Sequence, residues 1–340
     1  MIQEITILNA LGEQQTTAQI VCKSDLSTKP LVSIVMTFYN TSVFLKKAIE
    51  SVLEQTLENI ELICVDDGST DNTLAFLKEY ALKDKRITVL TQKNAGAGIA
   101  RNAGLTIAKG DWISFLDSDD FFQKDMLESM LALGCKDDSD VVVCGHYFCN
   151  MEGEVFKQKK YQEKCLKASP FAPTIFKSNI YSLIQPNAWT KLFKTSLVRQ
   201  NQVFFENLKS CNDYTFSYTM LAAAKKISIT DKPFVYYRVN TGTNISSNRG
   251  NKASCIIHAV FALKRNLENL KAESTFHQAL IKNAISCFKW ELSQCSKQQR
   301  QAFFEELALM PDKKFVNLLL FKLCPLTAFK IFWKNIFHKS

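Results

Sequence analysis

From residue 31 onward, short apolar runs alternate with amphipathic stretches along the chain. Leu31 to Phe38 is mostly apolar and rich in β-branched residues, which is typical of a strand buried on both faces. Three further runs predict strands for the same reason: Ile60 to Val65, Ile87 to Leu90 and Trp112 to Leu116. Apolar residues at helical spacing follow each of the first three strands. This alternation predicts an α/β fold of the doubly wound type, with a mainly parallel sheet flanked by helices.

The pattern outside these runs divides the chain into regions. Residues 1–30 are polar with little pattern, so we interpret them as an appended segment. Val141 to Cys144 predicts a fifth strand, and the polar, basic stretch 151–165 predicts a loop or hairpin. The resulting division begins with an N-terminal segment at 1–30. A principal domain follows at 31–250, with halves at 31–145 and 146–250. The last region, 251–340, is helical and ends in a basic tail at 313–340.

Polar residues directly follow three of the predicted strands. Tyr39 comes after the first strand, Asp66 and Asp67 after the second, and Asp117 and Asp119 after the fourth. Because ligands bind outside the carboxyl ends of parallel strands, we expect these side chains to converge on one site. Two neighbouring carboxylates suit Mg²⁺ or Mn²⁺, which also take water and phosphate oxygens. With an aromatic face for a base and a carboxylate for an imide N–H, the pattern predicts a nucleoside-diphosphate site.

A glycine-rich segment, GAGIAR at 96–101, nearly matches the G-x-G-x-x-G/A pattern of dinucleotide-binding proteins. Its last position is Arg101, and it follows the third strand rather than the first. A nicotinamide or flavin dehydrogenase is therefore a weaker alternative. In the favoured interpretation the glycines allow close approach of a ligand, and Arg101 supplies charge near a diphosphate. A solvated position on a helix face is the other interpretation of Arg101.

Composition excludes several classes of protein. The 340 residues include 42 Lys+Arg and 33 Asp+Glu, a net charge of +9, and 46% are hydrophobic. These values exclude a disordered chain and a multi-span membrane protein. The 11 cysteines form no C-x-x-C pair, so a zinc ribbon is excluded and a reduced, cytoplasmic chain is favoured. The N-terminus lacks the basic and apolar regions of a signal peptide.

Positive charge is concentrated in segment 313–340, which contains six lysines and no acidic residue. In a helix, one side of this segment would carry mainly aromatic residues: Phe329, Phe332, Trp333, Ile336 and Phe337. Lys330 and Lys334 would lie on the other side. The pattern is typical of a helix on an anionic membrane surface, and a terminal helix packed on the core is the alternative. We predict peripheral attachment to the cytoplasmic face of the membrane.

Three runs in order connect the chain to a known family: VSIVMTFYN, ELICVDDGSTDNT and NAGAGIARNAGLTIAKGDWISFLDSDD. They resemble the bacterial family 2 glycosyltransferases of GT-A fold, strongly over 31–130 and weakly over 186–247. The resemblance implies that fold and an inverting transfer from a nucleoside-diphosphate sugar, with a UDP-sugar favoured. It further implies a nucleotide-sugar half at 31–145, an acceptor half at 146–250, and Mn²⁺ or Mg²⁺ as cofactor.

The family's donor motifs, carried onto this sequence, imply roles for five residues. Thr37 and Tyr39 would cradle the nucleobase, and Asp67 would bind its imide edge. Arg101 would lie near the ribose or diphosphate, and Asp117 would contact the ribose side of the nucleotide.

The resemblance also implies a metal ligand and a general base. Asp119 would be the direct ligand of the metal. Asn212 and Asp213 stand at the place of the family's acidic dyad, whose second acid is the base, so Asp213 would be the base. The family often has an acidic residue where this chain has Asn212. That departure removes a charge that would support the base.

Two later motifs complete the resemblance. The stretch AWTKLF, with Trp189 and Lys191, is similar to the family's W-x-K-L stretch near the acceptor. Arg238 and the residues TNIS at 243–246 resemble a late loop that closes over the donor. The chain lacks the Q-x-x-R-W motif of processive synthases, so one sugar is expected per encounter.

The resulting hypothesis is a metal-dependent, non-processive glycosyltransferase of cell-surface polysaccharide synthesis. Its expected partners are a nucleotide-sugar donor, a glycan or lipid-linked acceptor and an anionic membrane surface, and no nucleic acid. A relative without enzymatic activity, which binds a nucleotide-sugar or scaffolds a membrane assembly, is the alternative.

Overall fold

The computed structural model of the chain describes residues 3–8, 13–239 and 253–323. Within them, one sheet contains the strands β1 (Gln3–Leu8), β2 (Gln14–Cys22), β3 (Val32–Phe38), β4 (Ile60–Asp66), β5 (Ile87–Gln92), β6 (Trp112–Asp117), β7 (Phe121–Phe122), β8 (Val141–Cys149), β9 (Val155–Lys159), β10 (Lys191–Lys194) and β11 (Ile227–Arg238).

The helices of the same residues are α1 (Ser42–Leu53), α2 (Thr73–Lys83), α3 (Ala97–Ile107), α4 (Met126–Asp137), α5 (Glu163–Ala168), α6 (Ile180–Leu183), α7 (Thr195–Gln200), α8 (Asn212–Ala223), α9 (Cys255–Asn269), α10 (Ser274–Gln294), α11 (Lys297–Leu309) and α12 (Lys313–Leu323). Two short 3₁₀ helices, Pro173–Asn179 and Ala188–Thr190, lie between them.

The sheet has the order β1-β2-β5-β4-β3-β6-β10-β8-β11-β7, and β9 pairs with β8. Its centre, β5-β4-β3-β6, is parallel, as is the pair β8-β11, while β10 is antiparallel to both of its neighbours. Helices α1, α2 and α4 pack on one face, and α3 and α8 pack on the other. Because both faces are covered, β4 is buried along its whole length. The α/β class with flanking helices and a helical C-terminal region is confirmed.

Residues 1–30 contain two strands of the sheet, so the interpretation as an appended segment is wrong. β1 and β2 pair antiparallel, and β2 pairs antiparallel with β5. Ile7 and Ala18 are fully buried in the core, whereas most neighbouring positions are at least partly exposed. The strands are hard to detect in the sequence because so few of their positions are apolar and buried.

The C-terminal helices pack directly on α8. Thr215 Oγ1 donates a hydrogen bond to the Ala259 carbonyl at 3.1 Å, and Asn266 Nδ2 donates to Thr219 Oγ1 at 3.1 Å. The predicted helical region therefore shares a core with the principal domain. Among the described helices, none has both the length and the apolar character that crossing a bilayer requires.

Helix α12 corrects the prediction for the basic tail. Four of its apolar side chains are buried in the core: Phe315, Val316, Leu319 and Leu320. Residues 313–323 are thus a packed helix, the alternative that the sequence left open. The aromatic residues predicted to face a membrane belong to 324–340, outside the described residues.

Candidate active site

A cleft of about 1000 Å³ opens at the carboxyl ends of β3, β4 and β6, where a parallel α/β sheet usually binds ligands. Eight of the ten candidate residues line it: Thr37, Tyr39, Asp67, Arg101, Asp117, Asp119, Trp189 and Asp213. Lys191 and Arg238 do not line the cleft, and both are buried. The structure therefore brings both halves of the principal domain to one site.

Sheet register places the first polar residues of the cleft side by side. Thr37 of β3 pairs with Asp117 of β6, and the half-exposed ring of Tyr39 follows two residues later. Asn40, whose φ is 52°, accepts a hydrogen bond from the Thr70 N–H at 2.8 Å. This bond joins the loops after β3 and β4, so the aromatic face is held beside the second loop.

Asp67 braces the turn that leads into α3. Its Oδ1 accepts hydrogen bonds from Gln92 Nε2 and the Ala95 N–H, and its Oδ2 accepts one from the Gly96 N–H, each at 2.8 Å. Gly96 has a φ of 92°, which L-residues with a side chain rarely adopt. Burial raises the pKa of Asp67, although these hydrogen bonds oppose the rise. Because a carboxylate oxygen accepts two hydrogen bonds, Oδ2 has capacity for a ligand N–H.

Arg101 of α3 connects the two halves of the cleft. It donates a hydrogen bond from Nη2 to Asp117 Oδ1 and one from Nη1 to Asn212 Oδ1 at 2.8 Å. The same Nη1 lies 3.0 Å from Asp213 Oδ1. Burial lowers the pKa of Arg101, but the charges of Asp213 and Asp117 outweigh it and raise the pKa. Arg101 is 5% exposed, which excludes the solvated helix face.

Asp213 lies in the first turn of α8. Cys211, with a φ of 62°, turns the chain into this helix. Asp213 Oδ2 accepts a hydrogen bond from the Ala188 N–H at 3.1 Å. Burial raises the pKa of the Asp213 carboxyl, and Arg101 is the strongest opposing influence. A carboxylate with a raised pKa in a cleft is suited to accept a proton.

The acidic turn after β6 is held by groups that the sequence analysis did not assign to it. Asp120 is fully buried, and its Oδ1 accepts a hydrogen bond from the Arg238 N–H at 2.8 Å. Arg238 Nη1 donates to the Asp119 carbonyl at 2.6 Å, and its guanidinium lies over the Phe121 ring. Burial, together with the charges of Asp119 and Asp117, raises the pKa of Asp120 well above its usual value.

Arg238 therefore supports the turn from outside the cleft, and its assignment to a loop over the donor is wrong. Its side chain is buried between the acidic turn and residue 151. Nε donates a hydrogen bond to the Met151 carbonyl at 3.1 Å. The predicted closing loop at 243–246 lies outside the described residues.

The donor atoms of the cleft fit a divalent cation that also binds a ligand's phosphate oxygens. Asp117 is held by Arg101, and Asp119 comes next to it in the cleft. Within residues 3–8, 13–239 and 253–323, no group of three or more His, Cys, Asp or Glu side chains could hold a metal alone. Mg²⁺ needs only one or two protein carboxylates when substrate phosphates supply the rest.

Lys191 shapes the loop next to Asp213 instead of facing a ligand. Its Nζ donates hydrogen bonds to the carbonyls of Gln185 and Asn187 at 2.6 and 2.7 Å. The next residue in that loop, Ala188, provides the N–H that reaches Asp213. Burial lowers the pKa of Lys191 to about 7.

Trp189 forms an aromatic wall of the cleft. Its ring stacks on Tyr237, with 5.2 Å between the ring centroids, and meets the edge of His146 at 4.9 Å. Burial lowers the pKa of His146 to about 4, so the imidazole is neutral at pH 7. In the sequence, His146 stands near Cys144 and Cys149, a cluster that could imitate a metal site but lacks a partner pair elsewhere.

The sequence comparisons agree with this geometry. A model for Glycosyl transferase family 2 matches residues 33–202, half of the chain. The chain belongs to glycosyl transferase family 2. Glycosyltransferase GlyG of Streptococcus pneumoniae is 34% identical to it over 217 residues, which are 61% of this chain and 71% of GlyG. An uncharacterized glycosyltransferase of Haemophilus influenzae is 35% identical over 226 residues, 65% of this chain and 83% of that protein. The match to EpsH of Bacillus subtilis covers 61% of EpsH.

Solved structures show that this family 2 chain shares its fold with known proteins. TarS 1–349 of S. aureus, in complex with UDP, has a TM-score of 0.65 and 20% identity, covering 86% of this chain and 81% of that chain. The mannosyltransferase PcManGT of Pyrobaculum calidifontis, in complex with GDP-Man and Mn²⁺, has a TM-score of 0.51 and 16% identity, covering 94% and 91%.

Proposed function

We propose that the chain is an inverting glycosyltransferase that moves one sugar from a UDP-sugar to a hydroxyl group of a glycan or lipid-linked acceptor. The observation that carries the proposal is the convergence of Asp119, Arg101 and Asp213 on a single cleft at the strand ends. Membership of family 2 and the nucleotides named with TarS and PcManGT support it. Cell-surface polysaccharide synthesis is the proposed process.

The donor occupies the side of the cleft formed by the strand ends. Tyr39 offers its half-exposed ring to the base, and Asp67 Oδ2 accepts the imide N–H. Thr37 lies beside the base, and Asp117 lies next to the ribose. Arg101 stabilises the negative charge that develops on the leaving nucleoside diphosphate.

Asp213 accepts the proton of the acceptor hydroxyl. The hydroxyl oxygen attacks the anomeric carbon from the face opposite the nucleoside diphosphate, so the configuration inverts. A carboxylate serves as base when it lies about 3 Å from the hydroxyl. Asp213 lines the cleft, and the Ala188 N–H and the Arg101 guanidinium hold its two carboxylate oxygens in place.

Asp119 is the proposed ligand of Mn²⁺ or Mg²⁺, together with diphosphate oxygens of the donor. When bound, the ion neutralises charge on the leaving group.

Residues 324–340 are the proposed membrane contact, on the cytoplasmic face, since three of the six tail lysines and all the tail aromatics beyond Phe321 belong to them. Binding to anionic vesicles that weakens with added salt would support this contact, and no binding at low salt would refute it.

A donor-hydrolysis panel tests the activity. The full chain is incubated with UDP-glucose, UDP-galactose, UDP-N-acetylglucosamine and GDP-mannose, with Mg²⁺ or Mn²⁺, and released nucleotide is measured. We expect release from at least one UDP-sugar, and its loss with a chelator. Binding of nucleotide-sugars without hydrolysis, and without transfer to any acceptor, would support the non-enzymatic alternative instead.

A further inference from the structure

Helix α10, far along the chain from the strand ends, supplies part of the cleft wall. Four residues of α10 line the cleft: Ser286, Cys287, Trp290 and Glu291. Ile256 of α9 lies beside them in the lining. The family match ends at residue 202, so it does not account for them. The donor residues all come from the strand ends and α3. The α10 wall is therefore separate from the residues proposed to bind the donor.

Hydrogen bonds fix α10 to the helix that carries Asp213. Tyr214, the next residue after Asp213, donates from Oη to Asn283 Oδ1 at 2.8 Å. Asn283 Nδ2 donates in turn to the Tyr181 carbonyl at 3.1 Å. All three side chains are buried. The cleft wall of α10 therefore keeps a fixed position relative to the proposed base.

Helical spacing carries this anchored face to the cleft. Asn283, Cys287 and Trp290 are separated by four and three residues, so their side chains lie above one another on one face. Asn283, at one end of this face, bonds to Tyr214, and Cys287 and Trp290, toward the other end, line the cleft.

Trp290 has the chemistry of a sugar platform. Its ring is 47% exposed although it lines a cleft, whereas the neighbouring Glu291 is buried. A large aromatic surface that contacts water gains free energy when an apolar face covers it. A pyranose ring has such a face, made of C–H groups, and its hydroxyls need hydrogen-bond acceptors. The Glu291 carboxylate lines the same cleft and is an acceptor of this kind.

On the basis of the proposed function, we infer that α10 is the acceptor platform of the enzyme. The Trp290 ring stacks on a pyranose ring of the acceptor, and Glu291 accepts hydrogen bonds from its hydroxyls. The anchor from Asn283 to Tyr214 then sets the reacting hydroxyl at Asp213.

Saturation-transfer NMR on the full chain tests this inference without knowledge of the natural acceptor. The probes are UDP with Mg²⁺ and three methyl glycosides: methyl β-D-glucopyranoside, methyl β-D-galactopyranoside and methyl N-acetyl-β-D-glucosaminide. We expect saturation of the ring protons of at least one glycoside. Trp290→Ala should lower that signal by about fivefold or more, and Trp290→Phe should retain most of it. Phe156→Ala, which truncates a 62% exposed ring outside the cleft, should leave it unchanged.

The UDP signal separates the two hypotheses. UDP should give the same signal with every variant, and its absence from the wild-type protein would count against the proposed function. With UDP bound, a glycoside signal that survives Trp290→Ala overturns the acceptor platform alone, as does the absence of any glycoside signal. If Trp290→Ala misfolds and loses UDP binding, Trp290→Leu replaces it, because leucine keeps apolar contacts but lacks the aromatic ring. A glycoside signal that survives Trp290→Leu would then overturn the acceptor platform.

Discussion

The two walls of the cleft are built on different principles. The strand-end wall comes from residues 37–119, where each functional side chain lies at or just beyond the end of its own strand, or in the first half of α3. The wall around Asp213 combines residues from 189 to 291, which tertiary contacts such as the Tyr214–Asn283 hydrogen bond hold together. Local chain geometry thus positions the first wall, and helix packing positions the second. Arg101 contacts both walls, whereas substitutions at other residues perturb one wall at a time.

Replacement of the proposed metal ligand should have the largest effect, and it acts on the first wall. We expect Asp119→Ala to reduce transfer below detection, because the charge of the diphosphate is no longer neutralised. Calorimetry should show that Mn²⁺ no longer strengthens UDP binding. Asp231→Ala, at an exposed position outside the cleft, is the matched control. Unchanged metal-dependent binding would remove Asp119 from the set of ligands.

The next largest effect is expected in the second wall. Asp213→Asn keeps the shape of the side chain but removes the proton acceptor, so transfer should fall by roughly 10²–10⁴-fold. UDP binding should persist, since the proposed base belongs to the other wall. A folded Asp213→Asn protein that transfers sugar at nearly the wild-type rate would contradict the assignment.

The packing that supports the second wall can be weakened without touching the cleft. Leu319→Ala in α12 should lower the free energy of unfolding by about 2–5 kcal/mol, because it leaves a cavity in the core. Leu318→Ala, in the same helix but 37% exposed, should cost clearly less. Chemical denaturation of both variants measures the difference. Equal costs would show that α12 is not packed as described.

The smallest expected effect is a pH-dependent change in stability that involves Lys191, which shapes the loop next to Asp213. An unfolded chain keeps the Lys191 proton up to about pH 10.4, whereas the folded protein releases it near pH 7. Between these values the unfolded state binds more protons, so Lys191 makes stability rise with pH. From pH 7 to 9 the wild-type protein should gain about 2 kcal/mol relative to Lys191→Met in denaturant titrations. A difference that stays constant or shrinks would show that Lys191 is charged in the fold.

The contrast between the walls also explains what the sequence could predict. β3 to β6 coincide with the four predicted strands to within two residues, because strands buried on both faces form continuous apolar runs. Tyr39, Asp67 and Asp119 could be placed in one site since each follows such a strand. The positions of these side chains depend on a few neighbouring residues.

Other features depend on contacts that no local pattern encodes. Lys191 and Arg238 carry charges that usually indicate a ligand or solvent, yet both are buried. Lys191 donates to carbonyls of the irregular loop directly before it, and Arg238 donates to the Asp119 carbonyl, which is distant in the sequence. Trp290 lies in a helix whose spacing predicts only an amphipathic surface. The first two strands were missed since most of their positions are at least partly exposed, at one end of the sheet.

The hydrogen bond between Tyr214 and Asn283 has a consequence for how this protein can be divided or recombined. A fragment that ends at residue 202 would lack Asp213, and one that ends at 250 would leave Tyr214 without its partner. Chimeras that exchange the proposed acceptor preference between relatives should therefore be joined after β7, so that Asp119 stays with the strand ends and α8 to α12 are exchanged as one block. Such a joint keeps the proposed nucleotide pocket of one parent and transfers the helices from α8 to α12 of the other.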